Sequence, residues 1–245
     1  MRAIIFLAIL LISPLSIAQK VTLTAVGDPW PVLLNPEIKQ QGLLVQIVRE
    51  ALQTQGYELE MNFVPWSRAM VLIQKKRADL LIGAWYTEER NKYLLYSDVI
   101  FSSSIRLIKN SESNFEFEGI PSLKGKRVGT ILSYQYGDEF LRHAGIERIT
   151  SDNLLNNIHN LLAGRIDLTL DDHYVVRYML DKHIKDWKNR ISLVKKPFSK
   201  KDLYLAANRS NPMFKTIIEA FNSGLEQLKE EGRYESIISS YDLYD

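Results

Sequence analysis

ADLLIGAWYTEER, residues 78–90, is the stretch from which the fold can be read. Residues 78–85 form a nearly continuous apolar run of strand length, the pattern of a strand buried on both faces inside a parallel sheet. Thr87 then supplies a side-chain oxygen suited to cap a helix, so a helix is expected to begin directly at the strand's end. A buried strand feeding a helix is the unit of an α/β sheet, and the chain on either side repeats it.

Toward the N-terminus, residues 21–27 alternate as a strand, a Pro-rich loop covers 28–36, and apolar residues at 43, 44, 47, 48, 51 and 52 mark one face of a helix that stops at Gly56. Residues 57–63 alternate as a half-buried strand, and 67–77 read as a helix. Toward the C-terminus, a strand over 103–109 closes a first lobe, and a polar stretch follows over 110–119. A second series then has strands at 127–132, 148–151, 166–170 and 191–194, with helices at 137–143, 154–164 and 174–184. Residues 203–207 return as a strand, and Asn211 with Pro212 opens a long helix whose apolar face carries Phe214, Ile217, Ile218, Phe221, Leu225 and Leu228. The crossings near 109–113 and 199–203 lack the composition of a flexible tether and read as hinge strands.

Arg2 followed by an apolar run to Ile12 and small residues at Ser16 and Ala18 reads as a signal peptide, residues 1–18, cleaved after Ala18. A membrane anchor would need about 20 apolar residues, and Ser13 and Pro14 interrupt this run. The chain has no cysteine, which excludes a disulfide framework, a thiolate metal site and a lipid-anchoring cysteine. With 31 basic and 29 acidic residues it has no field to gather nucleic acid or an anionic membrane. The four histidines, at 143, 159, 173 and 183, lack metal-ligand spacing, and no nucleophile elbow, zinc-protease motif or phosphate loop occurs. Neither a catalytic centre nor a metal or cofactor is expected.

Residues with candidate binding roles sit at strand ends. Arg90 falls in the first turn of its expected helix, where a bare cation is disfavoured, so it either pairs with Glu88, Glu89 or Asp98 or grips a ligand carboxylate. Asp171 and Asp172 end a strand at the sheet edge where open α/β sheets bind ligands; at least one either projects there or caps the following helix. Trp30, Trp66, Trp85, Tyr86, Tyr134 and Tyr136 also lie at loop positions, where rings line pockets as well as pack cores.

Taken in order, Val64-Pro65-Trp66-Ser67-Arg68-Ala69, Arg77-Ala78-Asp79, Thr87 to Arg90, Tyr96-Ser97-Asp98, residues 123–129 and Gly164-Arg165-Ile166-Asp167 resemble the bacterial extracellular solute-binding proteins of family 3, the polar amino-acid type. The resemblance covers essentially all of the chain after the signal segment. It implies the two-lobed α/β type II periplasmic binding protein fold, with lobe 1 from residues 19–111 and 200–245 and lobe 2, residues 112–199, inserted. It also implies a monomeric, non-enzymatic periplasmic protein that delivers a small ligand, an amino acid or related carboxylate, to an ABC importer in the inner membrane. A sensor partner of a membrane kinase or chemoreceptor, and a dehydratase-type enzyme, share the architecture. Arg90 would hold the ligand carboxylate, Asp172 its ammonium, and Trp30 and Trp66 its side chain, with backbone near Gly83 and the loop of Ser133, Tyr134 and Gln135 completing the contacts. Trp85 departs from the family's small hydroxyl residue and narrows the expected cleft, and Val99 stands where a proline is common.

Overall fold

The computed structural model describes residues 21–132, 134 and 136–241; the signal segment, Ser133 and Gln135 lie outside them. The first half begins with strand β1 (Val21–Gly27), helix α1 (Leu43–Thr54), β2 (Tyr57–Phe63), α2 (Trp66–Gln74), β3 (Leu80–Trp85) and the single-turn α3 (Glu88–Asn91). A 17-residue strand, β4 (Leu94–Asn110), leads into the second half: β5 (Arg127–Ile131), α4 (Asp138–Arg142), β6 (Glu147–Ser151), α5 (Leu154–Leu162), β7 (Leu168–Asp172), α6 (His173–His183) and β8 (Ile191–Leu193). Strand β9 (Ser199–Asn208) returns to the first half, followed by α7 (Met213–Glu230) and α8 (Arg233–Ser239).

The strands run in the order β2-β1-β3-β9-β4-β7-β5-β6, with β8 on β4. Each half has a parallel core, β2-β1-β3 in one and β6-β5-β7 in the other. The halves share a device that explains two of the sequence motifs. Asp79 accepts the Thr24 N–H at 2.8 Å and returns its own N–H to Thr24 O at 2.9 Å. Asp167 does the same with Arg127, at 2.8 Å each way, and adds a guanidinium pair at 2.7 Å. In both, the aspartate before a strand fixes it against its parallel neighbour.

The two long antiparallel strands β4 and β9 join the halves. β4 pairs with β9 from Leu94 to Ile105 and with β7 from Ile105 to Lys109. Ile105, Leu107 and Ile108 lie in the cores of the second half, so the first crossing falls near Ser102–Ile105, ahead of the expected 109–113. Register shifts after Tyr96 and Val99 break the alternation that would have marked the front of β4 as strand. The polar stretch 110–119 is a loop within the second half.

Helix α7 packs on α1 in the first core, with Phe214, Ile217, Phe221 and Leu225 buried. Gly224 makes this possible: a Cβ there would stand 2.1 Å from the Ala51 carbonyl oxygen. Helix α8, absent from the sequence reading, adds Ile237 to the same core. No helix among the described residues is long and apolar enough to cross a membrane.

Candidate ligand-binding cleft

Between the halves lies a cavity of about 190 Å³ lined by Asp28, Trp30, Leu34, Trp66, Ile82, Gly83, Trp85, Arg90, Ile131, Leu132, Tyr134 and Asp152. These residues come from the carboxyl ends of parallel strands. Asp28 and Trp30 follow β1, Trp66 follows β2, Trp85 ends β3, Ile131 ends β5 and Asp152 follows β6, the edge at which open α/β sheets bind ligands.

Gly83 decides what Trp85 does. At φ +81 it forms a bulge, so that Ile82 faces Leu205 while Ala84 already faces Tyr204. In unbroken alternation Trp85 would share a face with Leu81. The extra residue instead puts it on the face of Ile82, where it packs against cores of both halves. Its ring meets Trp30 edge-on at 5.9 Å and Tyr134 at 6.1 Å, and the Lys201 ammonium lies 5.2 Å above it. Burial lowers the Lys201 pKa. The indole Nε1 atoms of Trp30 and Trp85 are buried with no acceptor among the described residues, a condition that costs about 1–3 kcal/mol per group until an acceptor arrives.

Thr87 caps α3 as expected, accepting the Arg90 N–H at 3.1 Å. That N–H is therefore engaged, and the guanidinium is what faces the cavity. It donates to Trp85 O at 3.3 Å and lies 5.1 Å over the Trp66 ring. No carboxylate of the described residues pairs with it, which removes the surface-pair alternative with Glu88, Glu89 or Asp98.

Asp172 is placed differently from its expected role as ammonium anchor. It is 0 % exposed and does not line the cavity. One carboxylate oxygen accepts from the Tyr174 and Val175 N–H groups at 3.0 and 3.4 Å, capping α6, and the other accepts from the Ser103 hydroxyl. Asp171 is buried too and accepts the Asp172 N–H at 2.7 Å. Burial pushes the Asp171 carboxyl up to about 8 and that of Asp172 up to about 6. Both carboxylate oxygens of Asp172 are thus engaged within the fold, and the residue is not among those lining the cavity.

The carboxylates at the cavity are Asp28 and Asp152, neither of them singled out from sequence. Asp152 is exposed at the rim. Asp28 is half-buried, and burial raises its carboxyl above the usual range while a hydrogen bond from the Trp66 backbone partly offsets this. The available signal was its place directly after β1, at a carboxyl strand end. Tyr136 turns inward and accepts the Ile131 N–H at 2.9 Å, and Tyr86 is exposed beside Glu88. Among the described residues no cluster of histidine and carboxylates could hold a metal.

The sequence profile of the bacterial extracellular solute-binding proteins, family 3, matches residues 23–243. The chain belongs to that family. Among curated relatives of this solute-binding protein, the histidine-binding periplasmic protein of Escherichia coli is 24% identical over 182 residues, covering 71% of this chain and 68% of the relative. The lysine/arginine/ornithine-binding periplasmic protein of the same organism is 27% identical over 178 residues, 69% and 66% of the two chains. Among solved structures, an ancestral arginine-binding protein bound to arginine superposes with a TM-score of 0.74 at 22% identity, over 90% of this chain and 97% of its own. The amino acid ABC transporter substrate-binding protein AbpA from Streptococcus pneumoniae, bound to L-arginine, gives 0.73 at 18% identity, over 91% and 94%. These likenesses establish the type II periplasmic binding protein fold for the solute-binding chain.

Proposed function

We propose that this cleft captures a small solute bearing a carboxylate, an amino acid or a related compound, in the periplasm and hands it to an ABC importer without chemically changing it. The observation that carries the reading is Arg90, a guanidinium held on the Trp66 ring at the cavity wall with no carboxylate of the described residues to neutralise it. A ligand carboxylate in that place forms a charge-assisted, forked pair. The indole N–H groups of Trp30 and Trp85, without an acceptor among the described residues, add donors that suit oxygen acceptors once the cleft adjusts around a ligand. The amino-acid names of the relatives and their periplasmic location support the same class and compartment.

Closure follows from the arrangement. Asp28, Trp30, Trp66, Trp85 and Arg90 come from the first half, and Ile131, Leu132, Tyr134 and Asp152 from the second. A ligand reaches both sets only when the halves are together, so binding favours the closed state. We place the bending points at the crossings of β4 near Ser102–Ile105 and of β9 near Ser199–Asp202.

A melting-temperature screen against amino acids, amines and carboxylic acids tests this function. A ligand at 100 times its Kd adds about 2.7 kcal/mol of stability, which for a chain of this size raises Tm by roughly 5–11 °C. Hits confined to compounds without a carboxylate overturn the assignment.

A further inference from the structure

We infer that Trp85 is the specificity-determining residue of the cleft, a wall that limits the solute held at Arg90 to one with a short tail beyond its carboxylate. The inference rests on the proposed binding function and adds a size limit to its ligand.

The wall is built from three rings. Trp85 meets Trp30 and Tyr134 edge-on, with ring centroids 5.9 and 6.1 Å away, and all three residues line the cavity. Each ring also packs against two cores. Trp30 and Trp85 both touch the core of the first half and a different core of the second, and Tyr134 touches the two cores of the second half. The rings therefore span the cleft from one half to the other, and the wall is complete only when the halves are together.

Trp85 has little freedom to swing aside. The positive φ of Gly83 sets the face on which its ring lies, and the Lys201 ammonium, from β9, lies 5.2 Å over that ring. Trp30, at its edge, is held by a turn of its own. The Trp30 N–H donates to Leu34 O at 2.6 Å, and the Trp30 carbonyl accepts from the Leu33 and Leu34 N–H groups at 3.0 and 2.8 Å. Packing of this density gives way to added methylenes only at a cost.

The anion anchor stands beside this wall. The Arg90 guanidinium donates to the Trp85 carbonyl at 3.3 Å, so a carboxylate gripped by Arg90 begins next to the residue whose ring bounds the cavity. The space between them belongs to a cavity of about 190 Å³. A long tail has either to push the Trp85 ring out of the cores or to hold the halves apart, and both forfeit the closure that binding favours. Trp85 thus works by exclusion. Cutting it back leaves a volume that opens into the cavity, because the ring is part of the lining.

The experiment is calorimetric titration of the full exported chain with two ladders of probes that share a carboxylate and differ in tail length. One runs through glycine, L-alanine, L-2-aminobutyrate, L-norvaline and L-norleucine; the other runs from acetate to hexanoate and lacks the amino group. The parent should bind the short members of one ladder saturably, with affinity falling by roughly ten-fold or more at its longest member. Trp85→Ala should strengthen the longest member by roughly ten-fold or more and so invert the order, and Trp85→Phe should fall between. Circular dichroism and Tm report that each variant is folded. A parent that prefers the longest member overturns the inference. So does a folded Trp85→Ala variant that keeps the parent's order or weakens every member alike. Silence of both ladders in parent and variant also overturns it; a carboxylate hit in the melting-temperature screen then leaves the binding function standing, and the absence of any such hit removes that function too.

Discussion

Replacing Asp172 separates its two candidate roles. In Asp172→Ala, α6 loses the acceptor for its Tyr174 and Val175 N–H groups, and loss of such a cap costs about 0.5–2 kcal/mol. The Ser103 hydroxyl, buried on β4, loses its partner as well, at about 1–3 kcal/mol. Together these give about 1.5–5 kcal/mol, or a fall in Tm from about 3 to about 20 °C at 2–4 °C per kcal/mol. The assay is thermal unfolding near pH 4, close to the unfolded value of 3.8 and below the value of about 6 to which burial lifts the Asp172 carboxyl, so that the proton-linked cost of its burial is small. Asp172→Asn retains a capping oxygen, and Asn caps helices about as well as Asp, so most of the Tm should return. Calorimetry with the best ligand should give a Kd unchanged within about two-fold for both variants. The reasoning is refuted if both variants bind about ten-fold or more weakly while melting like the parent.

Two further outcomes follow from buried groups. Asp171 and Asp172 are raised from 3.8 to about 8 and about 6, so the folded protein holds more protons than the unfolded chain between about pH 4 and pH 8. Their contribution is present at the acid end and is lost as pH rises through the folded values: Tm should fall across that window, less steeply in Asp171→Asn, and a parallel slope in the variant would contradict this. Gly224→Ala should separate α7 from α1, because its Cβ would stand 2.1 Å from the Ala51 carbonyl. Overpacking of this kind costs about 1–3 kcal/mol, and an unaltered melting curve would show that the two backbones are not in contact there.

The sequence carried the α/β alternation well because apolar periodicity is set locally. The buried run at 80–85, the capping Thr87 and the apolar faces of α1 and α7 all report their own surroundings. The front of β4 escaped because its bulges scramble the alternation, and the crossing between halves was placed late because residues 110–119 have a linker's polarity within a packed half. At the site, Trp30, Trp66, Gly83, Trp85, Arg90 and Tyr134 line one cavity. Asp172 and Asp28 are where position alone misleads. Both follow or end a strand at the same sheet edge, and the Asp172 carboxylate is the one taken up by the N–H groups of α6 and the Ser103 hydroxyl. Trp85 is the other such case, since its facing depends on the positive φ of Gly83 and on no property of the tryptophan.

The most direct test of the account is the affinity of Arg90→Ala for the best carboxylate ligand, measured by calorimetry beside the parent. If the guanidinium receives the ligand's carboxylate in a desolvated cleft, the loss is about 2–5 kcal/mol, a weakening of roughly 30-fold to several-thousand-fold. An affinity equal to the parent's, in a variant that melts normally, would contradict it.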